Sequence, residues 1–198
     1  MIDLYIVRHG IAVPHGTPGV AEDDRPLTAH GEKRVKQIGA GLKTLELKLD
    51  AIATSPLPRA HRTAELIAAE LGMEPKLEIA PVLTSGSDAA SIRDWLRKRT
   101  EARLMIVGHN PAFSELVSLL VLGEPGGLHI ELKKGGIASL SSATRSPRNK
   151  RGRRGWEGAG WTGVRNRGGL LSPQRSSTGA GRRAAPRANL YRPRPSIA

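Results

Sequence analysis

The sequence contains no cysteine, which excludes disulfide bonds and thiolate chemistry. No apolar run approaches the roughly 20 residues that a membrane-spanning helix needs. The chain enters a strand-like segment at once, without the basic and apolar regions with which a secretory leader begins. We therefore expect a cytoplasmic protein without membrane contact. Its 198 residues are enough for one domain with a sizeable core.

The net charge of +13 is confined to one end of the chain. Residues 1–140 contain 17 of the 31 basic residues and 17 of the 18 acidic residues, so this part is neutral. The other 14 basic residues lie in residues 141–198 together with one acid, Glu157. The high isoelectric point is therefore no argument for nucleic-acid binding by the first 140 residues.

The composition changes at about residue 141. From there Arg outnumbers Lys 13 to 1, Gly, Ser, Pro and Ala are abundant, and neither helical nor strand periodicity persists. Such a segment cannot bury enough apolar surface to offset the entropy lost on ordering. We predict a folded domain over residues 1–140 and a basic, disordered tail over residues 141–198.

The tail has two possible origins. Arg-rich and Lys-poor sequence is what a GC-rich gene yields when it is read in a shifted frame, and we favour that interpretation. The alternative is a genuine basic arm that binds nucleic acid or an acidic partner through its arginines. In both cases we expect any contact with nucleic acid to be nonspecific and confined to the tail.

The most informative motif lies near the N-terminus. Leu4–Val7 is a short apolar run that predicts a buried strand, and Arg8, His9 and Gly10 follow it directly. The planar guanidinium of Arg carries a permanent positive charge and several N–H donors, which suits it to bind phosphate. A neutral His can attack phosphorus. The motif therefore suggests a histidine that becomes transiently phosphorylated.

Further along the chain, strands and helices alternate. Apolar runs predict strands over residues 51–54 and 104–107, and helical patterns begin near Thr28, Arg59 and Pro111. This alternation is typical of an α/β fold with three layers, in which helices flank a mostly parallel central sheet.

Three elements are less clearly marked in the sequence. A short strand is predicted within residues 75–82, and a helix capped by Ser87 follows it. A closing pair of strands is predicted over residues 130–132 and 137–140, around a Lys-Lys-Gly-Gly turn.

Four basic side chains follow three of the predicted strands. Arg8 and His9 come after the first strand, Arg59 comes at the turn after the second, and His109 follows the strand over residues 104–107. In a parallel sheet these strand ends meet at one edge, where ligands bind. Two arginines and two histidines at that edge predict a cationic pocket for a tetrahedral dianion, and the start of a helix at Arg59 adds positive partial charge.

These motifs resemble the histidine phosphatase (phosphoglycerate mutase-like) superfamily, and within it the small SixA-type phosphohistidine phosphatases. The resemblance covers about residues 1–140, and it is carried by the following motifs in this order: Arg8-His9-Gly10, Asp24-Arg25-Pro26-Leu27-Thr28 with Gly31, Ser55-Pro56-Leu57-Pro58-Arg59-Ala60, Gly108-His109-Asn110-Pro111 and Gly136-Ile137-Ala138-Ser139-Leu140.

The resemblance implies a two-step phosphoryl transfer. His9 would be the nucleophile that becomes phosphorylated, and water would then release phosphate. Arg8, Arg59 and His109 would hold the phosphoryl oxygens and neutralise charge in the transition state. Arg25 is a candidate additional ligand of the phosphate or the substrate. We expect no cofactor and no metal, since no carboxylates accompany the two histidines at ligand spacing.

One departure from the superfamily bears on the substrate. Its larger members carry a general-acid Glu after the second helix, and residues 81–88 contain no Glu. The segment between the second helix and the strand over residues 104–107 is also short, which leaves little room for a lid. Both features favour a leaving group that departs readily and an open pocket.

The leading hypothesis is therefore a phosphohistidine phosphatase that acts on a phosphorylated protein. One alternative is a phosphomonoesterase that acts on a small metabolite at the same site. An alternative from another class is a protein that binds nucleic acid or an anionic surface through its basic tail.

Overall fold

The structure, a computed structural model, describes residues 2–142, 161–166 and 169–171. In chain order the elements are β1 (Ile2–Arg8), α1 (Ala29–Thr44), β2 (Ala51–Thr54), α2 (Pro58–Leu71), β3 (Leu77–Ile79), α3 (Ala89–Leu96), β4 (Arg103–Gly108), α4 (Ala112–Leu122), β5 (Ile137–Ser142), β6 (Trp161–Asn166) and β7 (Gly169–Leu171). Two short 3-10 turns, Glu74–Lys76 and Pro81–Leu83, flank β3. Within these residues no helix combines the length and the apolar character needed to cross a membrane.

All strands belong to one sheet, in the order β3-β2-β4-β1-β5-β6-β7. The first four strands in that order are parallel, and β5 joins the open edge of β1 in the antiparallel direction. The predicted α/β fold with a mostly parallel sheet is confirmed for the part that carries the site.

Alternation along the strands produces the three layers, because successive side chains of a strand point to opposite faces. On β1, Leu4 and Ile6 join a core cluster that contains Ile92 of α3 and Phe113 of α4. Val7 joins the other cluster, which contains the inward residues of α1 and α2. Two helices therefore cover each face of the sheet.

The start of α1 agrees with the sequence, whereas the start of α3 differs from it. Thr28 caps α1 by accepting a hydrogen bond from the Gly31 N–H, and Gly72 ends α2 in the left-handed region, with φ +65°. The cap of α3 is Asp88 rather than the predicted Ser87, since the Asp88 carboxylate accepts from the Ser91 N–H. A carboxylate is a stronger acceptor than a hydroxyl and also suits the positive end of the helix.

The predicted pairing of residues 130–132 with residues 137–140 is wrong. Only Ile137–Ser142 forms a strand, and it pairs with β1. The carbonyl of Leu132 accepts a hydrogen bond from the side chain of Arg8 instead of a neighbouring strand. This segment therefore passes over the end of β1, beside the candidate site.

The structure also differs from the sequence prediction after residue 140. β5 continues to Ser142, and Trp161–Asn166 and Gly169–Leu171 form two further antiparallel strands, so β5 is not a sheet edge. Both segments lie in the predicted basic tail and include residues with high strand propensity, such as Trp161 and Val164. The division into a folded domain over residues 1–140 and a disordered tail over residues 141–198 stays a prediction. For residues 143–160, 167–168 and 172–198 the prediction lies outside the described residues.

Candidate active site

The carboxyl ends of β1, β4 and β2 meet at one edge of the sheet. Arg8 is in register with Gly108, the His9 N–H donates to the Gly108 carbonyl (3.0 Å), and the Ser55 N–H donates to the Val107 carbonyl (2.9 Å). These backbone hydrogen bonds continue the pairing of β1 and β2 with β4 for one residue beyond the ends of β1 and β2. The structure thus brings together the residues that the sequence placed at this edge.

His9 is buried, with 6% of its surface exposed, and its ring is fixed by a single backbone contact. Its Nδ1 lies 2.7 Å from the Gly10 carbonyl oxygen. A carbonyl oxygen can only accept, so Nδ1 must carry the proton and donate it. In the neutral ring the lone pair is then on Nε2. His9 therefore presents the nitrogen that a nucleophile needs.

The surroundings keep both histidines neutral at physiological pH. Burial lowers the pKa of His9 to about 4, and the nearby charges of Arg59, Arg8 and Lys134 act in the same direction. Burial likewise lowers the pKa of His109 to about 3, aided by His9 and the arginines. An uncharged imidazole is the form that can attack phosphorus.

The ring of His109 faces that of His9 and has a different hydrogen-bond partner. The two ring centroids lie 5.1 Å apart, with the planes tilted by 51°. The Nε2 of His109 lies 3.0 Å from the hydroxyl oxygen of Ser55, which is completely buried. The two histidines are therefore tied through different ring nitrogens.

Arg8 is held by the turn that precedes β5. Its Nη1 donates to the Leu132 carbonyl (2.8 Å), which also accepts from the Asn110 amide (3.3 Å). The Gly135 N–H donates to the carbonyls of Arg8 (3.0 Å) and His9 (2.9 Å). Gly135 has φ +74°, a conformation that suits glycine. This turn fixes the backbone of Arg8 and His9.

Arg59 lies in the first turn of α2 and is 3% exposed. Its Nη1 donates to the Glu22 carbonyl (2.9 Å), and burial lowers the pKa of its guanidinium. Further along α2, Thr63 accepts from the Gly10 N–H (3.0 Å) and donates to the Arg59 carbonyl (2.6 Å). Thr63 thereby links the start of α2 to Gly10, the residue after His9.

Arg25 approaches the same region from the loop before α1. Its Nη1 donates to the Val13 carbonyl (2.7 Å), and its Nη2 forms an ion pair with the Glu22 carboxylate. That carboxylate also lies 3.9 Å from Nη2 of Arg59 and pairs with His15. Its hydrogen bonds with Arg25 and His15 lower the pKa of Glu22 to about 2, so it remains an anion.

The guanidiniums retain unused donors. The Nε atoms of Arg8, Arg25 and Arg59 are buried and have no hydrogen-bond partner among the described residues. Buried donors without partners are costly, and guanidinium groups form strong charge-assisted hydrogen bonds with anions. The chemistry of this edge therefore matches a phosphoryl group with its negatively charged oxygens.

Sequence reasoning missed three contributors to this site. The sequence analysis assigned no role to Glu22, although its spacing of three residues from Arg25 is a usable signal. Lys134 was interpreted only as part of a turn, yet its charge acts on His9. Ser55 was part of a matching motif and had no assigned role. Their contacts depend on how loops meet in space, which local patterns do not encode.

Within the described part of the chain, no group of three or more His, Asp or Glu residues could hold a metal ion. The carboxylate of Glu22, which pairs with Arg25, also lies 3.9 Å from Arg59. The positive charges of Arg8, Arg25 and Arg59 suit this site to bind an anion.

Comparison with known proteins shows the family of this chain. Residues 4–81 match the model of the histidine phosphatase superfamily (branch 1). The chain is 41% identical over 145 residues to an uncharacterized protein of Picosynechococcus sp., which covers 71% of this chain and 86% of that protein. It is also 41% identical over 73 residues to the probable phosphoglycerate mutase GpmB of Klebsiella pneumoniae, a match to 36% of this chain and 33% of the mutase.

Among solved structures, the chain is similar to the protein histidine phosphatase SixA complexed with tungstate. The TM-score is 0.62 and the sequence identity 26%, over 71% of this chain and 88% of that one. The superfamily to which the sequence motifs pointed is confirmed, and with it a phosphatase enzyme. The chain belongs to the histidine phosphatase superfamily.

Proposed function

We propose that this phosphatase uses His9 as its nucleophile and removes phosphoryl groups from phosphohistidine in a protein substrate. The observation that carries the proposal is the hydrogen bond from Nδ1 of His9 to the Gly10 carbonyl, because it places the lone pair of a neutral ring on Nε2. The charges of Arg8 and Arg59, whose Nε donors have no hydrogen-bond partner among the described residues, act on that ring.

The chemistry has two steps. In the first, Nε2 of His9 attacks phosphorus while the P–N bond of the substrate breaks, and the departing imidazole keeps the electron pair and takes up a proton. In the second, water attacks the phosphorus, the P–Nε2 bond breaks, and its electrons return to His9 as phosphate forms. Arg8, Arg59 and His109 would stabilise the charge on the phosphoryl oxygens in both steps.

Arg25 has a less central role in this proposal. Its side chain contacts the loop carbonyl of Val13 and the carboxylate of Glu22, and its charge acts on both Arg59 and His109. We assign it to the outer side of the phosphate site, where it would contact the substrate after Glu22 has been displaced.

Two observations support a protein substrate. The connection between α2 and β4 contains only one short strand, two 3-10 turns and the eight-residue α3, and its 3-10 turn Pro81–Leu83 has no acidic side chain that could protonate an alkoxide. A phosphorylated imidazole departs more readily than an alkoxide, so it needs such an acid less. The similar solved structure is that of a protein histidine phosphatase.

A metabolite phosphatase is the second candidate, favoured by the partial match to a probable phosphoglycerate mutase. The test compares kcat/KM for a phosphohistidine protein, for phosphoramidate and for several sugar phosphates, with and without a chelator. We expect the phosphohistidine protein to be the fastest substrate and the chelator to have no effect. Faster turnover of a sugar phosphate would favour the metabolite, and a chelator-sensitive rate would contradict the metal-free chemistry.

A further inference from the structure

Ser55 is completely buried at the end of β2, and its hydroxyl oxygen has two neighbours that form hydrogen bonds. The Leu57 N–H donates to it (3.2 Å), and Nε2 of His109 lies 3.0 Å away. A serine hydroxyl can accept two hydrogen bonds and donate one. The position of its own hydrogen therefore decides which nitrogen of His109 is protonated.

Among the hydrogen bonds of the described residues, Nε2 of His109 is the acceptor available to this hydroxyl hydrogen. If Nε2 carried a proton, the ring would donate to Ser55, and the buried hydroxyl hydrogen would have no acceptor. An unsatisfied buried donor is costly. Donation from Ser55 to Nε2 satisfies both groups, and the neutral ring must then carry its proton on Nδ1.

We propose that Ser55 is a positioning residue for catalysis, and that its hydroxyl holds His109 in the tautomer protonated on Nδ1 so that the ring donates a hydrogen bond to the phosphoryl group. This inference rests on the proposed role of His109 at the phosphoryl site.

The consequence is a division of roles between two neutral imidazoles. The Gly10 carbonyl selects the Nδ1–H form of His9 and frees its Nε2 lone pair, while Ser55 occupies Nε2 of His109 and leaves its Nδ1–H as a donor. A histidine that presented a lone pair to the phosphoryl oxygens would repel them. Ser55 therefore distinguishes the donor from the nucleophile without any change in charge.

The first experiment reads the tautomer directly. Histidine-selective ¹⁵N NMR of the full chain, without substrate, distinguishes protonated from unprotonated ring nitrogens. We expect wild-type His109 to have a protonated Nδ1 and an unprotonated Nε2, and we expect Ser55→Ala to give a mixture of both tautomers. A protonated Nε2 in the wild type, or an unchanged single tautomer in Ser55→Ala, would overturn the proposal.

The second experiment measures turnover with a matched control. Ser118 in α4 is also completely buried, donates to the Glu124 carbonyl (2.8 Å) and accepts from the Leu128 N–H (3.0 Å). We expect Ser55→Ala to lower kcat about 10-fold to 100-fold with little change in KM, as loss of a group that orients a catalytic side chain does. Ser118→Ala should lose about as much thermal stability as Ser55→Ala, but its kcat should equal that of the wild type.

These experiments test the role of Ser55 separately from the proposed phosphohistidine substrate. Absence of phosphohistidine phosphatase activity in the wild type would contradict the proposed substrate, whereas the NMR result needs no substrate. Equal kcat values in Ser55→Ala and wild type would overturn the positioning role. A kcat lost equally in Ser55→Ala and Ser118→Ala would show that only the fold had been weakened, which would overturn it as well.

Discussion

The imidazole rings of His9 and His109 lie 5.1 Å apart, and each is tied through the nitrogen that the other leaves free. Nδ1 of His9 donates to a backbone carbonyl, while Nε2 of His109 faces the Ser55 hydroxyl. Two chemically identical side chains can therefore have different chemical roles in one pocket, because each forms a hydrogen bond with a different partner.

The burial of these rings predicts a fold that loses stability in mild acid. The pKa values of His9 and His109 are about 4 and about 3 in the folded state, below the ordinary value of 6.5. The unfolded chain therefore binds more protons below pH 6.5, so acidification favours unfolding. Each histidine should lower the free energy of unfolding by about 2 kcal/mol between pH 6.5 and pH 5.

Urea unfolding of the full chain at pH 7 and pH 5 checks this prediction. His109→Gln should lose less stability on acidification than the wild type, while His30→Gln, at an exposed position of α1, should lose as much as the wild type. The same loss in His109→Gln as in the wild type would contradict the account of the buried pair.

Glu22 should compete with the phosphoryl group for the arginines. Its carboxylate is paired with Arg25 and lies 3.9 Å from Arg59, and its low pKa keeps it charged. Glu22→Gln removes that charge and retains the size of the side chain. We expect orthophosphate to inhibit this variant roughly 2-fold to 5-fold more tightly, as expected for loss of an exposed ion pair.

The control is Glu32→Gln, which removes a carboxylate paired with Arg62 on the surface between α1 and α2. This variant has the same change in net charge and should keep the wild-type inhibition constant. Equal tightening in both variants would mean that net charge alone is responsible, and no tightening in Glu22→Gln would contradict the competition.

Gly31 should tolerate no side chain, although it lies in a helix. A Cβ at this position would clash with the backbone carbonyl of Ile11 in the loop after β1. We expect Gly31→Ala to lower the free energy of unfolding by about 1–3 kcal/mol, as overpacking does. Gly41, in the same helix, has no neighbouring atom within 4 Å of such a Cβ.

Gly41→Ala should therefore stabilise the protein by about 0.5–1 kcal/mol through helix propensity. Thermal and urea unfolding of both variants measure the difference. If both substitutions stabilised the protein, the close approach of Ile11 to α1 would be contradicted.

Much of this architecture could be predicted because it depends on local patterns. The apolar runs of β1 and β4 and the motifs after them placed Arg8, His9 and His109 at one edge. The Ser87 cap was misassigned because two adjacent residues can both cap a helix and only the three-dimensional structure selects Asp88. Side-chain partners such as Glu22 and Ser55 depend on loop packing, which periodicity does not report.

The central claim is that His9 accepts the phosphoryl group, and trapping the intermediate tests it most directly. The full chain is mixed rapidly with substrate that carries a radiolabelled phosphoryl group and quenched in alkali, and the label is mapped by peptide analysis. We predict an acid-labile, base-stable label on His9 that is absent from His9→Ala and present in the control His15→Ala, whose side chain is exposed. Label on His109, or label retained by His9→Ala, would contradict the account.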